Sequence, residues 1–374
     1  MKPFYLAKRK LQLVPAAITL IALAIITPIC AQNITTIDAP GAGNTEPFQG
    51  TYTLDINGSG TIIGFTRDAN NIRHGFSRSR NGVFTLFDAP GAGTEPGQGT
   101  RAYSVNPSGA ITGYFTDSAN TAHGYVRSSE GVFAVFDAPG AGTGLNKGTF
   151  PYNSTQLINP NGAITGYYVD SVGALHGFVR DENGVLSTFD APGAGTADQQ
   201  GTQSFAISPT GEVTGFYFDA NFAVHGFLRD TNGLITTFDL PGAGTGPFEG
   251  TYGGGFTTNG RILGVLIDAD FVNHGFLLDK HGAVTIFDAP GGGTGFNQGT
   301  LPWDINANGT TAGWYVDSAD VNHGFVRGRH GAIVQFDVPG SLFPWAAIAP
   351  NGAVTGVYFD ANSIVHGFIR EAGH

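Results

Sequence analysis

His-Gly-aromatic triplets begin at His74, His123, His176, His225, His274, His323 and His366, most of them 49 residues apart. Asp-x-Pro-Gly begins at Asp38, Asp88, Asp137, Asp190, Asp239, Asp288 and Asp337. An Asp stands six residues before each of those histidines: Asp68, Asp117, Asp170, Asp219, Asp268, Asp317 and Asp360. A Gly stands four residues before each of these Asp, from Gly64 to Gly356. A fixed period of this length marks a repeat architecture, in which one unit cannot bury its faces alone and stacked neighbours supply the core.

Each unit divides into four short strands. In the third, these fall at 155–159, 163–169, 175–180 and 185–190, separated by Pro160-Asn161-Gly162, the turn at 170–174 and the hairpin pair Asn183-Gly184. Pro192-Gly193 turns the chain out. Four antiparallel strands in about 49 residues fit a propeller blade, whereas solenoid coils and leucine-rich repeats are much shorter. Ala163-Ile164-Thr165-Gly166-Tyr167-Tyr168-Val169 is apolar on both faces, as a strand packed between neighbouring sheets requires. Gly166 and its equivalents suit a place where blades approach closely.

The expected fold is all-β: a seven-bladed β-propeller. Ile34 to Asp38 reads as a fourth strand without its first three, and His366 to Arg370 as a third strand without its fourth. Pairing these two fragments completes one blade and closes the ring, which removes a long open edge. Residues 32–374 then form one domain. A hairpin at Glu130-Gly131 sets Asp137 opposite Gly124.

Residues 1–31 read as an export signal, with Lys2, Lys8, Arg9 and Lys10 ahead of an apolar stretch and Cys30-Ala31 at the break. The apolar stretch is near bilayer-spanning length, so an uncleaved anchor is the alternative. The expected location is extracellular or periplasmic. The whole chain carries a net charge of −11. The exported part is more acidic still, so nucleic acid is an unsuitable partner, and a membrane is one only if the segment is retained. Cys30 is the only cysteine, so no disulfide holds the exported part together.

His-Gly-Phe, the Ile158–Gly162 turn and the Ala163–Asp170 strand resemble the bacterial extracellular repeat family called HAF, named for a His-Ala-Phe triplet. The resemblance spans nearly all of Asn33 to Arg370, and this chain has Gly where that name has Ala. It implies an exported protein and brings no catalytic residue with it.

One His per blade on a third strand cannot converge with the others, so His74, His123, His176, His225, His274, His323 and His366 are assigned with Asp68, Asp117, Asp170, Asp219, Asp268, Asp317 and Asp360 to a structural network. In it the Asp caps its turn and the His bonds the Asp or the linker. Arg78, Arg127, Arg180, Arg229, Arg327 and Arg370 follow the histidines by four and read as paired structural charges, a series broken by Leu278. The Gly-rich linkers lack the Lys and helix of a phosphate loop. Residues that differ between copies are the better functional candidates: Tyr152, Trp303, Trp314 and Trp345 as ligand-contacting aromatics. No catalytic, cofactor-binding or metal-binding residue is assigned. The function expected is a non-enzymatic binding or structural module for a glycan or protein. The alternative is a propeller lyase or glycoside hydrolase with an axial pocket, against which the first strands at 103–106, 205–208 and 303–306 offer only Asp304 as a charge.

Overall fold

A computed structural model describes residues 34–152 and 154–372; residues 1–31, read from sequence as an export signal, fall outside them. The described chain is all strand and turn. Gly50–Ile56, Ile62–Arg67, Arg73–Arg78 and Phe84–Phe87 form the first antiparallel sheet. The pattern repeats along the chain, and Ser341–Ile348, Val354–Phe359 and Val365–Arg370 take Ile34–Ile37 as their fourth strand. The register sets Ile34 opposite Arg370 and Ile37 opposite Gly367. First strands of most neighbouring sheets touch one another, Ser341–Ile348 touching Gly50–Ile56 among them. The architecture is that of a β-propeller, with first strands innermost.

Two interleaved glycine–aromatic pairs build each sheet. Gly64 lies opposite Phe76, and Gly75 opposite Phe87. The triplet aromatics Phe76, Tyr125, Phe178, Phe227, Phe276, Phe325 and Phe368 are all 0% exposed. A Cβ on Gly75 would strike the Phe87 ring at 2.4 Å, which explains Gly in the triplet: the ring of the fourth strand lies on it. Between linker and first strand, the Thr51 hydroxyl accepts the Ala39 amide at 2.9 Å, and Thr100, Thr149, Thr202, Thr251 and Thr300 repeat the contact.

Four expectations need correction. Asp137 does not face Gly124; Phe136 does. The hairpin is one residue longer than assumed, with Ser128 bonded to Val132 and Gly131 at φ 92° forming the left-handed step of a bulged turn. Gly166 and its equivalents mark an approach within the sheet rather than between blades. A Cβ on Gly64 would meet the Tyr52 carbonyl at 1.8 Å, next to the bulge between Thr53 and Asp55. The third unit's first strand is Lys147–Phe150, with only a bridge from Ile158 to Ile164 further on, because the extra residues from Pro151 onward leave the ladder. The first strands also begin earlier than expected, at Gly99 and Gly299, for example, which brings Arg101 onto one of them.

Candidate functional site

The His–Asp network occupies the end of each sheet where the second strand turns into the third. Nδ1 of each histidine meets the Asp-x-Pro-Gly carboxylate, from 2.6 Å at His323–Asp337 to 3.0 Å at His74–Asp88. Nε2 faces the turn carboxylate, from 3.3 Å at His123–Asp117 to 3.9 Å at His366–Asp360. His176, His225 and His274 sit in the same way between Asp190 and Asp170, Asp239 and Asp219, and Asp288 and Asp268. The other oxygen of each turn Asp closes its turn, as Asp68 does by accepting the Asn70 and Ile72 amides. Ring faces stack on the preceding strand, as at Tyr168–His176, 4.8 Å between centroids. Among the described residues no three His, Cys, Asp or Glu side chains are grouped to hold a metal ion.

A histidine between two carboxylates favours the imidazolium. The hydrogen bond to Asp137 raises His123 above its ordinary value despite its burial, and Asp288 does the same for His274. The Val321 and Ala319 amides hold Asp317 below the carboxylate range, and the Ile364 amide leads for Asp360. Stability from the raised histidines is complete below about pH 6.5 and is lost as pH rises through their folded values; that from the lowered carboxylates is present above about pH 3.9 and is lost as pH falls through theirs. The melting temperature is therefore expected to fall between about pH 6.5 and 8. Calorimetry across that range checks this, with His123→Gln reducing the slope; a flat or rising profile contradicts it.

Paired charges are the expectation for the arginines after the triplets, but Arg78, Arg127, Arg180, Arg229 and Arg327 make no ion pair among the described residues, and the guanidinium groups of the series lie on rings. Arg127 sits 4.7 Å from the Phe87 centroid, Arg180 5.3 Å from Phe136, Arg229 5.0 Å from Phe189, Arg327 4.5 Å from Phe287 and Arg370 5.3 Å from Phe336. Each ring belongs to the fourth strand of the preceding sheet, so the guanidinium holds neighbours together by cation–π attraction. Ile37 occupies that ring's place before Arg78, which rests instead on Phe84 of its own sheet at 5.8 Å. Leu278 clusters with Phe238, an apolar equivalent of the same contact.

The non-repeated residues meet elsewhere. A cavity of about 230 Å³ is lined by Tyr52, Phe65, Arg67, Arg73, Arg101, Tyr103, Tyr114, Tyr152 and Trp345. Tyr152, carried on the insertion, packs edge-on to Tyr103 at 4.9 Å. Ring contacts continue from Tyr103 to Trp345, from Trp345 to Trp303 at 5.4 Å, and on to Phe205, Phe216 and Tyr252. Of the four aromatics singled out from sequence, Tyr152 and Trp345 reach the cavity and Trp303 continues the belt. Trp314 does not reach it: it is 7% exposed, packed 5.6 Å from Trp303.

Sequence reasoning missed Arg67, Arg73 and Arg101. The signal lay in the register between copies. Arg67 faces Arg73 across the second and third strands, where the other sheets hold Thr116–Ala122, Val169–Leu175, Phe218–Val224, Ile267–Asn273, Val316–Asn322 and Phe359–Val365. Arg101 stands where other first strands carry Tyr52, Phe150, Gln203, Tyr252 or Leu301. Its guanidinium lies 4.6 Å over the Tyr114 ring and bonds Thr116 and the Gly97 carbonyl, which also accepts from Arg73. Burial, with Arg101 next, lowers Arg73 to about 10. Among the described residues every ion pair joins His to Asp, so no carboxylate neutralises this group.

The axis is crossed by the insertion. Gln156 donates Nε2 to the Ile305 carbonyl at 2.8 Å and the Phe256 carbonyl at 3.2 Å, and its Oε1 accepts the Phe256 amide at 2.6 Å. The first strand Gly50–Ile56, outside the three weighed from sequence, supplies Asp55 in addition to Asp304. Asp55 accepts the Ile56 and Val105 amides, and Asp304 those of Ile305 and Ile348. Burial raises both carboxyls, Asp55 well above its usual range with Asp304 adding to the effect. Their oxygens tie adjacent first strands together.

No protein-family model and no curated protein matches the chain. Among solved structures, virginiamycin B lyase from Staphylococcus aureus is similar at 15% identity and TM-score 0.57, over 91% of this chain and 100% of that one. Puromycin hydrolase is similar at 12% identity and TM-score 0.52, over 85% of this chain and 50% of that one. A fungal lectin from Aleuria aurantia described as a six-bladed β-propeller reaches a TM-score of 0.41 at 12% identity, over 71% of this chain and 89% of that one. At such identities the likeness to the first two speaks for the fold alone.

Proposed function

We propose that this chain is an exported seven-bladed propeller of the HAF type, closed by its Ile34–Ile37 strand, which acts as a glycan-binding module through the aromatic cavity beside its axis. The observation that carries the reading is convergence. Tyr152 and Trp345, which break the repeat, gather with Tyr103 and Tyr114 at one cavity, whereas the shared His–Asp network is explained by the sheets it holds. Flat aromatic faces suit the apolar faces of a sugar ring, and about 230 Å³ is below the size of a drug-like pocket. Gln156 and the amide-bonded Asp55 and Asp304 hold first strands together near the axis and do not line the cavity. Its lining contains no Asp, Glu or His to serve as the carboxylate pair of a glycoside hydrolase, which favours binding over hydrolysis. A glycan array probed with residues 32–374 is expected to yield ligands whose binding falls at least about tenfold, some 1.4 kcal/mol, in Tyr152→Ala. Retention of the array signal by that variant, or breakdown of the bound glycan during incubation, would contradict the reading.

A further inference from the structure

Three arginines stand together where the repeat calls for none. Arg67 and Arg73 are direct cross-strand partners, and like charges so placed destabilise a sheet. Arg101, from the next sheet, is 8% exposed. Nε of Arg67 is buried and has no hydrogen-bond partner among the described residues. The six other copies solve the cross-strand position without facing charges, so the repeat's packing does not require these arginines. One buried and two half-buried guanidinium groups, with no carboxylate paired to them among the described residues, suit an anion from outside even in a strongly acidic protein.

Resting on the glycan-binding reading above, we propose that Arg67, Arg73 and Arg101 form an anion subsite in the aromatic cavity and that the ligand is an acidic sugar, its carboxylate held by these arginines and its ring by Tyr103, Tyr114 and Tyr152. The guanidinium fork matches a carboxylate in geometry and binds it through charge-assisted hydrogen bonds. Tyr52 and Phe65 stack at 4.5 Å with 12° between planes, and Tyr103 and Tyr114 are nearly parallel at 3°, so the charged and flat surfaces face one recess. The cavity admits one ring, and the chain's net charge of −11 opposes a long polyanion. A single acidic residue on an otherwise neutral glycan meets both conditions.

The test uses residues 32–374 and titration calorimetry with matched oligosaccharides ending in glucuronate or glucose, and with inorganic phosphate and sulfate. The glucuronate form is expected to bind at least about tenfold more tightly, a preference that shrinks as salt rises. Arg73→Val, which installs the residue found at Val224 and Val365, is expected to weaken binding of the glucuronate form far more than that of the glucose form, so that the preference disappears. The melting temperature of that variant is expected to stay or rise, since a repulsive pair is removed; a drop of several degrees would show a structural role instead. Equal affinity for both sugars, with binding still lost in Tyr152→Ala, overturns the anion subsite and leaves the glycan reading standing. Phosphate or sulfate binding as tightly as the glucuronate form overturns the sugar as the source of the charge. Binding of neither sugar overturns both.

Discussion

Deleting residues 32–37 is expected to lower the melting temperature by about 10 °C and to make the protein self-associate. Ile34–Ile37 is the fourth strand of the sheet that ends the chain. Ile37 is buried in a cluster with Ala39, Ile56, Phe76 and Ala347, which joins the two ends of the sequence. Thr36 bonds the Tyr358 hydroxyl at 2.8 Å, and Asp38 meets His366 at 2.8 Å. Buried Ile37 contributes roughly 1.5–3 kcal/mol, half-buried Ile34 less, and the hydrogen bonds of the strand about 1 kcal/mol each, so ~4 kcal/mol is at stake. The loss also bares the outer edge of Val365–Arg370, a template for pairing with another chain. Calorimetry and size-exclusion chromatography decide it. A truncated protein that melts like the parent and stays monodisperse would contradict the strand's place in the fold.

Phe227→Ala is expected to cost about 3–5 kcal/mol of unfolding free energy, the range for truncating a fully buried phenylalanine. Phe227 packs with Ala191, Ile207, Val213 and Tyr217, so the cavity left behind would lie between the linker, first strand and second strand of its own blade. Opposite its backbone stands Gly215, whose missing side chain admits the ring and which cannot refill the space. The same replacement at Phe276 should cost a similar amount, because its 0% exposure and its glycine partner, Gly264, repeat the arrangement. Denaturant unfolding at both positions measures this. A loss under about 1 kcal/mol would mean that the triplet aromatic is not the plug of its sheet.

Much of the architecture was legible because a repeat multiplies weak signals. One His-Gly-Phe is uninformative; seven in step with two families of Asp and one of Gly define a unit, its turns and its strand order. Register was less legible. Whether Asp137 or Phe136 faces Gly124 depends on one residue of hairpin length, and a one-residue slip reverses every side chain on the strand. The arginine series was misread because an ion pair is the commonest expectation for a regularly spaced charge, while the ring beneath each guanidinium comes from the preceding sheet, about forty residues earlier in sequence. The cavity was half legible. Tyr152 and Trp345 stood out as departures from the repeat, but Arg67 and Arg73 became visible only when strand pairing set them face to face, and Arg101 only when its strand proved to begin at Gly99.

The account depends on Ile34–Ile37 lying beside Val365–Arg370. Thr35 and Ile369 are directly opposed there, at a separation typical of antiparallel partners and within disulfide reach. In residues 32–374 carrying Thr35→Cys and Ile369→Cys, these are the only two thiols. Mass spectrometry after mild oxidation is predicted to find one intramolecular disulfide, with a melting temperature above that of the reduced protein, because the bond closes a loop of most of the chain and such a constraint contributes about 5 kcal/mol. Two free thiols, or disulfides only between molecules, would contradict it.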